Sequence, residues 1–194
     1  MVETAGLDQM QYKNDAERYG AIAKLLHWSM ALLIITLIIL GIWMGELPLG
    51  LDKVWYYNLH KSLGLIVLAL ALTRLVWRFL SPPPPPLSGQ PVLEKLAAHA
   101  VHLALYAAFI LQPLIGIAHS GASGYPIVFF NHYSLPSIIE ANKELADLLA
   151  ASHFYIGWGI AALVLLHAGA ALKHHFLDKD TVLLRMMPFG KPRS

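Results

Sequence analysis

Residues 25–44, LLHWSMALLIITLIILGIWM, contain no Asp, Glu, Lys or Arg. A bilayer core of about 30 Å needs roughly 20 apolar residues in a helix that rises about 1.5 Å per residue. This run therefore predicts a membrane-spanning helix, with a single histidine near its start. Three more long apolar runs follow it in the chain.

The sequence predicts four membrane spans, at about residues 22–44, 54–80, 95–118 and 148–173. The interiors of the first, third and fourth spans lack charged residues. The second carries Lys61 near one end and Arg74 and Arg78 near the other, where long basic side chains reach the interface. We expect one all-α domain over residues 1–194, an integral membrane four-helix bundle. Its outer loop is expected at 119–147, with a helical piece from Pro136 onward.

The composition supports a membrane protein and narrows the chemistry. The chain is 57% hydrophobic and only 13% charged, against roughly 25% charged residues in soluble domains. A net charge of +2, with basic residues at the edges of apolar runs, does not favour nucleic acid. The absence of cysteine excludes disulfides, iron–sulfur clusters and c-type haem attachment. A redox cofactor would need other ligands, and the chain has ten histidines.

Basic residues are distributed unequally between the two ends of the predicted bundle. Of the 14 Lys and Arg residues, only Lys53, Lys61 and Lys143 fall at the outer end. The positive-inside rule therefore places both termini in the cytoplasm, together with the loop that contains prolines 82–86. The other 11 basic residues are Lys13, Arg18, Lys24, Arg74, Arg78, Lys95, Lys173, Lys179, Arg185, Lys191 and Arg193.

Four histidines lie at two depths of the predicted bundle. His153 and His167 are 14 residues apart on the fourth span, a separation of about 21 Å and only about 40° short of four full turns. Both therefore face the same side. His60 lies near the outer end of the second span and His27 near the inner end of the first. A membrane histidine is costly without a partner, so two matched levels indicate ligands.

This arrangement predicts two stacked haems, each with two imidazole ligands. One haem would lie between His60 and His153 near the outer surface, and the other between His27 and His167 near the inner surface. A tetrapyrrole needs clearance, and small residues follow three of the ligands by one turn, although such residues also serve ordinary helix packing. They are Gly64, Gly157 and Ala171.

Arg74 follows His60 by 14 residues and reaches the depth of the inner pair. A guanidinium pairs well with a carboxylate, so Arg74 is a candidate partner of an inner haem propionate. The alternative is an arginine that only extends to the interface, which is the role we expect for Arg78.

The remaining histidines have less specific interpretations. His99 and His102 are rivals for the inner site, but their helix has no outer histidine. His119 and His132 are predicted in the outer loop, and His174 and His175 at the interface. Zinc or copper is disfavoured because no third acidic or histidine ligand shares either depth. Hydrolytic catalysis lacks a nucleophile motif or paired carboxylates.

The ordered motifs resemble those of the bacterial cytochrome b561 family. They are LHW at 26–28, HKSLG at 60–64 with the following TRLVWR and prolines, HLALY at 102–106, HAGAALKHHF from His167, and LLRMMP ending at Pro188. The resemblance covers residues 18 to 188. It implies a four-helix protein of the bacterial inner membrane with two non-covalent haem b groups, bound at the positions of His27, His60, His153 and His167.

The resemblance implies electron transfer, and one branch of the family oxidises superoxide and reduces ubiquinone. We therefore expect quinone-linked electron transfer within lipid, most specifically a superoxide:ubiquinone oxidoreductase. The alternatives are an electron-transfer subunit for a membrane or periplasmic dehydrogenase, and a structural or transport bundle without haem. The predicted outer surface has three lysines against five acidic residues, a net of −2, which departs from the positive entrance that superoxide favours.

Overall fold

The computed structural model describes residues 11–188, and the chain there is mostly helical. The long helices are α1 (Ala21–Glu46), α2 (Leu51–Leu80), α3 (Val92–Ala122) and α4 (Lys143–Phe176), and a short α5 (Val182–Met186) follows. All four long helices have the length and apolar composition to cross a membrane. The predicted four-helix membrane bundle is therefore confirmed. Lys191 and Arg193, which contribute to the predicted orientation, lie outside the described residues.

The helices extend beyond the predicted spans at most of their ends. α3 begins directly after Pro91, where a proline is well tolerated because the first turn has no use for its missing N–H. It continues to Ala122, so His119 belongs to a helix and its prediction as a loop residue is wrong. α4 begins at Lys143, where the side chain of Asn142 accepts a hydrogen bond from the amide of Leu145 at 3.0 Å.

The outer connection contains a small β-hairpin in place of the helical piece predicted from Pro136. Strands β1 (Ile127–Phe129) and β2 (Tyr133–Leu135) pair antiparallel, with Phe129 opposite Tyr133. Residues 136–142 are not helical. The hairpin is attached to α2, because the Phe130 amide donates to Ser62 Oγ at 2.8 Å and Asn58 Nδ2 donates to Asn131 Oδ1 at 2.9 Å.

The end of the bundle that holds residues 11–20 is called the inner end, and the opposite end the outer end. At the inner end Asn14 binds the start of the proline loop, since its side-chain amide donates to the carbonyl oxygens of Ser81 at 2.7 Å and Pro82 at 3.1 Å. Arg185 of α5 donates to the Pro85 carbonyl at 2.8 Å. Trp28 of α1 donates to the Met186 carbonyl at 2.9 Å. These contacts join three chain segments into an inner cap, formed by residues 11–20, 81–86 and 182–187.

The buried core lies between the two histidine depths, and the outside of the bundle is apolar. The core cluster consists of Met30, Ile34, Val67, Ala71 and Ile160. Large apolar side chains on the lateral surface of the helices are exposed, for example Leu103 at 72% and Leu165 at 74%. In water such a surface would be unusual, whereas lipid is an equally apolar neighbour.

Candidate cofactor sites in the bundle

Each long helix carries two residues, 14 positions apart, that lie at the two depths of the histidine pairs. We call the residues at these depths the outer layer and the inner layer. This spacing turns both residues of a helix toward nearly the same side, about 21 Å apart. The outer layer therefore contains two histidines and two glycines, and the inner layer three histidines and one arginine. The pairs are His27 and Gly41 on α1, His60 and Arg74 on α2, His102 and Gly116 on α3, and His153 and His167 on α4.

In the outer layer the rings of His60 and His153 face each other across the bundle. Their centroids are 6.2 Å apart and their planes are inclined at 70°. Two metal–imidazole bonds of about 2 Å each, with about 1 Å from each nitrogen to its ring centre, require roughly 6 Å. Within residues 11–188 the buried Nδ1 atoms of both rings have no hydrogen-bond partner. The pair therefore fits a metal held between two imidazoles, as in a haem with both axial positions filled.

The inner layer repeats this spacing between α1 and α4. The rings of His27 and His167 have centroids 6.1 Å apart and planes inclined at 64°. This agrees with the outer pair to within 0.1 Å, although different helices supply the rings. Both pairs proposed from the sequence are thus brought together by the structure.

The inner layer also contains His102, so the expectation that no third histidine shares either depth is wrong for this layer. Its ring centroid lies 5.3 Å from that of His167, less than the roughly 6 Å that two imidazoles on one metal require. We therefore assign His102 as a neighbour of the His27 and His167 pair. The sequence did contain a signal for it, because His102 and Gly116 have the same 14-residue separation as the other pairs.

Arg74 contacts the inner layer directly. Its Nη2 donates a hydrogen bond to His27 Nδ1 at 2.9 Å, and its guanidinium carbon lies 5.8 Å from the centre of the Tyr106 ring. Arg78 lies at the same distance from that ring. Among residues 11–188 no Asp or Glu forms an ion pair with either arginine. A concentration of positive charge without carboxylates suits an anionic group such as a propionate.

The small residues predicted to give clearance have different surroundings. A Cβ added at Gly64 would meet no atom within 4 Å, so space remains beside His60. A Cβ at Gly157 would lie 3.2 Å from Gln112 Nε2, and that amide donates to the backbone carbonyl of His153 at 2.8 Å. Gly157 therefore admits a contact between α3 and α4 that the sequence did not indicate.

Two of the other described histidines have partners outside the two layers. His99 Nδ1 is 2.7 Å from the carbonyl of Lys95, one turn earlier on the exposed side of α3. His174 binds Asp180 at 2.7 Å and lies in an inner-end cluster with Glu94 and Asp178. Lys173 already pairs with both of these last two carboxylates, at 3.0 and 2.8 Å. The cluster is therefore explained by its own ion pairs.

Comparison with known proteins identifies a family and several relatives. Residues 18–189 match the family model described as prokaryotic cytochrome b561. The chain is 38% identical over 188 residues to cytochrome b561 homolog 2 of Escherichia coli K12, an alignment that covers 95% of this chain and 98% of that protein. It is 33% identical over 172 residues to the probable superoxide oxidase CybB of Yersinia pestis, covering 89% and 97%. Cytochrome b562 of Cereibacter sphaeroides is 31% identical over 172 residues, covering 84% and 90%.

Proposed function

This chain belongs to the prokaryotic cytochrome b561 family, whose members bind b-type haem and transfer electrons in the membrane, and we propose that it carries two haems and passes electrons to quinone. One haem lies between His60 and His153 and the other between His27 and His167. The observation that supports this proposal is the agreement of the two ring separations, 6.2 and 6.1 Å, at depths separated by 14 helical residues.

The haem supplies one-electron chemistry, and the residues of the chain hold and orient it. The two imidazoles of each pair would hold the haem iron, and a haem held in this way would supply electron transfer without binding oxygen at the iron. Arg74, after leaving His27, balances the charge of an inner propionate. The apolar core between the layers, which includes Met30 and Ala71, excludes water from the space between the two sites.

We propose superoxide as the electron donor and ubiquinone as the acceptor. Two superoxide anions lose one electron each and become two O2 molecules, and a quinone takes up those two electrons with two protons to become quinol. The relative from Yersinia pestis, named a probable superoxide oxidase, supports this donor. We assign the protein to the bacterial inner membrane, with the outer layer toward the periplasm.

Local charge near His60 supports an anionic donor despite the net −2 of the outer end. Lys143 pairs with Asp147 at 2.7 Å, and Lys53 donates to the carbonyls of Gly45 and Leu47 at 3.1 and 2.8 Å. Lys61, beside His60 and half-buried, forms no ion pair within residues 11–188. Its charge thus remains available to attract an anion.

The first test counts haem groups in the purified protein and in His153→Ala. We expect two haems per chain in the unsubstituted protein and one in His153→Ala, because removing one ligand opens only the outer site. His102→Ala is the matched control and retains both. A colourless protein, or a single haem without any substitution, contradicts the two-haem proposal.

The second test adds superoxide to the oxidised protein and follows the haem absorption bands, with and without superoxide dismutase. We expect reduction that outruns spontaneous dismutation, that dismutase abolishes, and that added ubiquinone reverses. Lys61→Gln slows the reduction severalfold, whereas Lys143→Gln does not. Haems that superoxide fails to reduce favour an electron-transfer subunit of a dehydrogenase.

A further inference from the structure

Two glycines approach the outer histidines unusually closely. A Cβ added at Gly41 of α1 would lie 3.3 Å from Cε1 of His60, and one added at Gly116 of α3 would lie 3.2 Å from Cε1 of His153. The corresponding distances to Nδ1 are 3.8 and 3.6 Å. Distances of 3.2 and 3.3 Å are shorter than the ordinary contact range of 3.4–4 Å. A methyl group at either position would require the imidazole ring to move by a few tenths of an ångström.

The same contact is thus formed twice, by different helices. Gly41 lies beside the ring from α2, and Gly116 beside the ring from α4. Each glycine follows a histidine of its own helix by 14 residues, His27 in one case and His102 in the other. Helix spacing therefore places both at the depth of the outer pair. Accidental packing does not explain why the two contacts share the same ring atom and nearly the same distance.

Other glycines in the helices lack such a contact. A Cβ added at Gly45, Gly64, Gly159 or Gly169 would meet nothing within 4 Å. Small residues are common in membrane helices because they let helices approach, but that general role does not single out Gly41 and Gly116. What distinguishes these two positions is the Cε1–Nδ1 edge of a histidine ring.

When Nε2 of a histidine binds a metal, the ring can still rotate about the metal–nitrogen bond, and this rotation moves the Cε1–Nδ1 edge sideways. A contact on that edge therefore limits the rotation. We propose that Gly41 and Gly116 are positioning residues that set the rotation of the His60 and His153 rings, and thereby the angle between the two imidazole planes of the outer haem. The inference rests on the proposed function, since it requires a haem at the outer pair. The planes are inclined at 70°.

The two positions are not equally tolerant. The amide of Gln112 holds the His153 carbonyl at 2.8 Å, which restrains the α4 backbone at the residue that Gly116 touches. The backbone of His60 has no side-chain hydrogen bond of this kind within residues 11–188. A methyl group at Gly116 therefore displaces mainly the ring, whereas at Gly41 the α2 backbone takes up part of the strain.

The experiment replaces each glycine by alanine and measures the two low-spin ferric haem signals by electron paramagnetic resonance, together with haem content. The largest g value of such a haem depends on the angle between its axial imidazole planes. We expect Gly41→Ala and Gly116→Ala to shift the g value of the outer haem only, with the larger shift in Gly116→Ala. Gly45→Ala and Gly159→Ala are the matched controls and leave both signals unchanged.

The outer signal is identified as the one that His153→Ala removes. Unchanged outer signals in both glycine variants, or equal shifts of both haems, overturn the inference. If a glycine variant loses a haem, selective loss of the outer one supports the inference, and loss of both shows a folding role and overturns it. A protein without an outer signal before any substitution refutes the proposed function itself, which keeps the two failures distinct.

Discussion

The hydrogen bond between Arg74 and His27 determines which ring nitrogen of His27 carries the proton. Because Arg74 donates to Nδ1 of His27, that nitrogen carries no proton and the ring proton lies on Nε2. A neutral histidine that binds a metal through Nε2 carries its proton on Nδ1, the reverse arrangement. The proposed haem binding at His27 would therefore require Arg74 to release the ring and take another partner. Arg74 forms no ion pair with a carboxylate within residues 11–188, so it is free to bind a propionate.

We expect Arg74→Gln to weaken binding of the inner haem. A hydrogen bond to a charged group contributes about 1.5–3 kcal/mol, which corresponds to a loss of roughly ten- to a hundredfold in affinity. Without haem, Arg74 donates to His27, so its removal also frees that ring for haem. We expect this effect to be smaller than the loss of the propionate contact, because the bond to His27 joins one charged and one neutral group. Titration of haem into the apo protein measures the change.

Two variants control this measurement. Arg78→Gln should have a smaller effect, since Arg78 shares the Tyr106 ring but makes no hydrogen bond to His27 among the described residues. The outer site should keep its affinity in both variants. Unchanged inner affinity in Arg74→Gln would show that the arginine only extends to the interface.

At the scale of elements, a buried hydroxyl of α2 is one of the contacts that hold the outer hairpin. Ser62 is fully buried, its Oγ donates to the Asn58 carbonyl at 2.7 Å, and it accepts from the Phe130 amide at 2.8 Å. Phe130 and Asn131 adopt left-handed backbone conformations, with φ of 46° and 61°, which non-glycine residues rarely adopt without support. The hairpin tip is therefore held in place by its contacts with α2.

Ser62→Ala should lower the free energy of unfolding by about 1–3 kcal/mol, because it leaves the part-buried Phe130 amide without an acceptor. Amide hydrogen exchange in residues 127–135 should become faster as the hairpin detaches. Ser29→Ala is a suitable control, since Ser29 bonds only carbonyls of its own helix. Equal exchange rates in the two variants would show that the hairpin does not depend on Ser62.

Local sequence could predict the helices but not this hairpin. The apolar runs are long enough to predict each helix by themselves, and Pro91 marks the start of α3. The strands are only three residues long, and their turn has Phe130 and Asn131 where glycine would have been a signal. They are held by contacts with residues 68 and 73 positions away in the chain, and such contacts leave no local pattern.

At the scale of the whole molecule, the same distinction applies to the two cofactor layers. Spacing of 14 residues on a helix is a local rule, so the depths of His153 and His167 followed from sequence. Local sequence does not show which helices are neighbours in the bundle. That arrangement brings Arg74 into contact with His27 and places His102 against His167. The sequence prediction missed the glycines of the outer layer because a glycine has no side chain that suggests a ligand or a charge partner at that depth.

The inner cap lies at the inner end of the bundle, near Arg74 of the inner layer. Asn14 and Arg185 hold the N-terminal segment and α5 to the proline loop. Burial raises the pKa of the Tyr19 phenol above its ordinary value, so this residue of the cap stays neutral near Arg74 of the inner layer and its neighbour Arg78. In the proposed function, a quinone dissolved in the bilayer would reach the inner haem from the lipid side of the helices.

The orientation of the molecule in the membrane stays a prediction, and the distribution of basic residues makes it testable. Among residues 11–188, nine Lys and Arg residues at the inner end against three at the outer end favour a cytoplasmic inner end. Alkaline phosphatase fused after residue 194 should be inactive, because the enzyme needs the periplasm, and the same enzyme inserted in the outer loop at 140–141 should be active. The reverse result would show that the outer histidine pair faces the cytoplasm, where periplasmic superoxide cannot reach it.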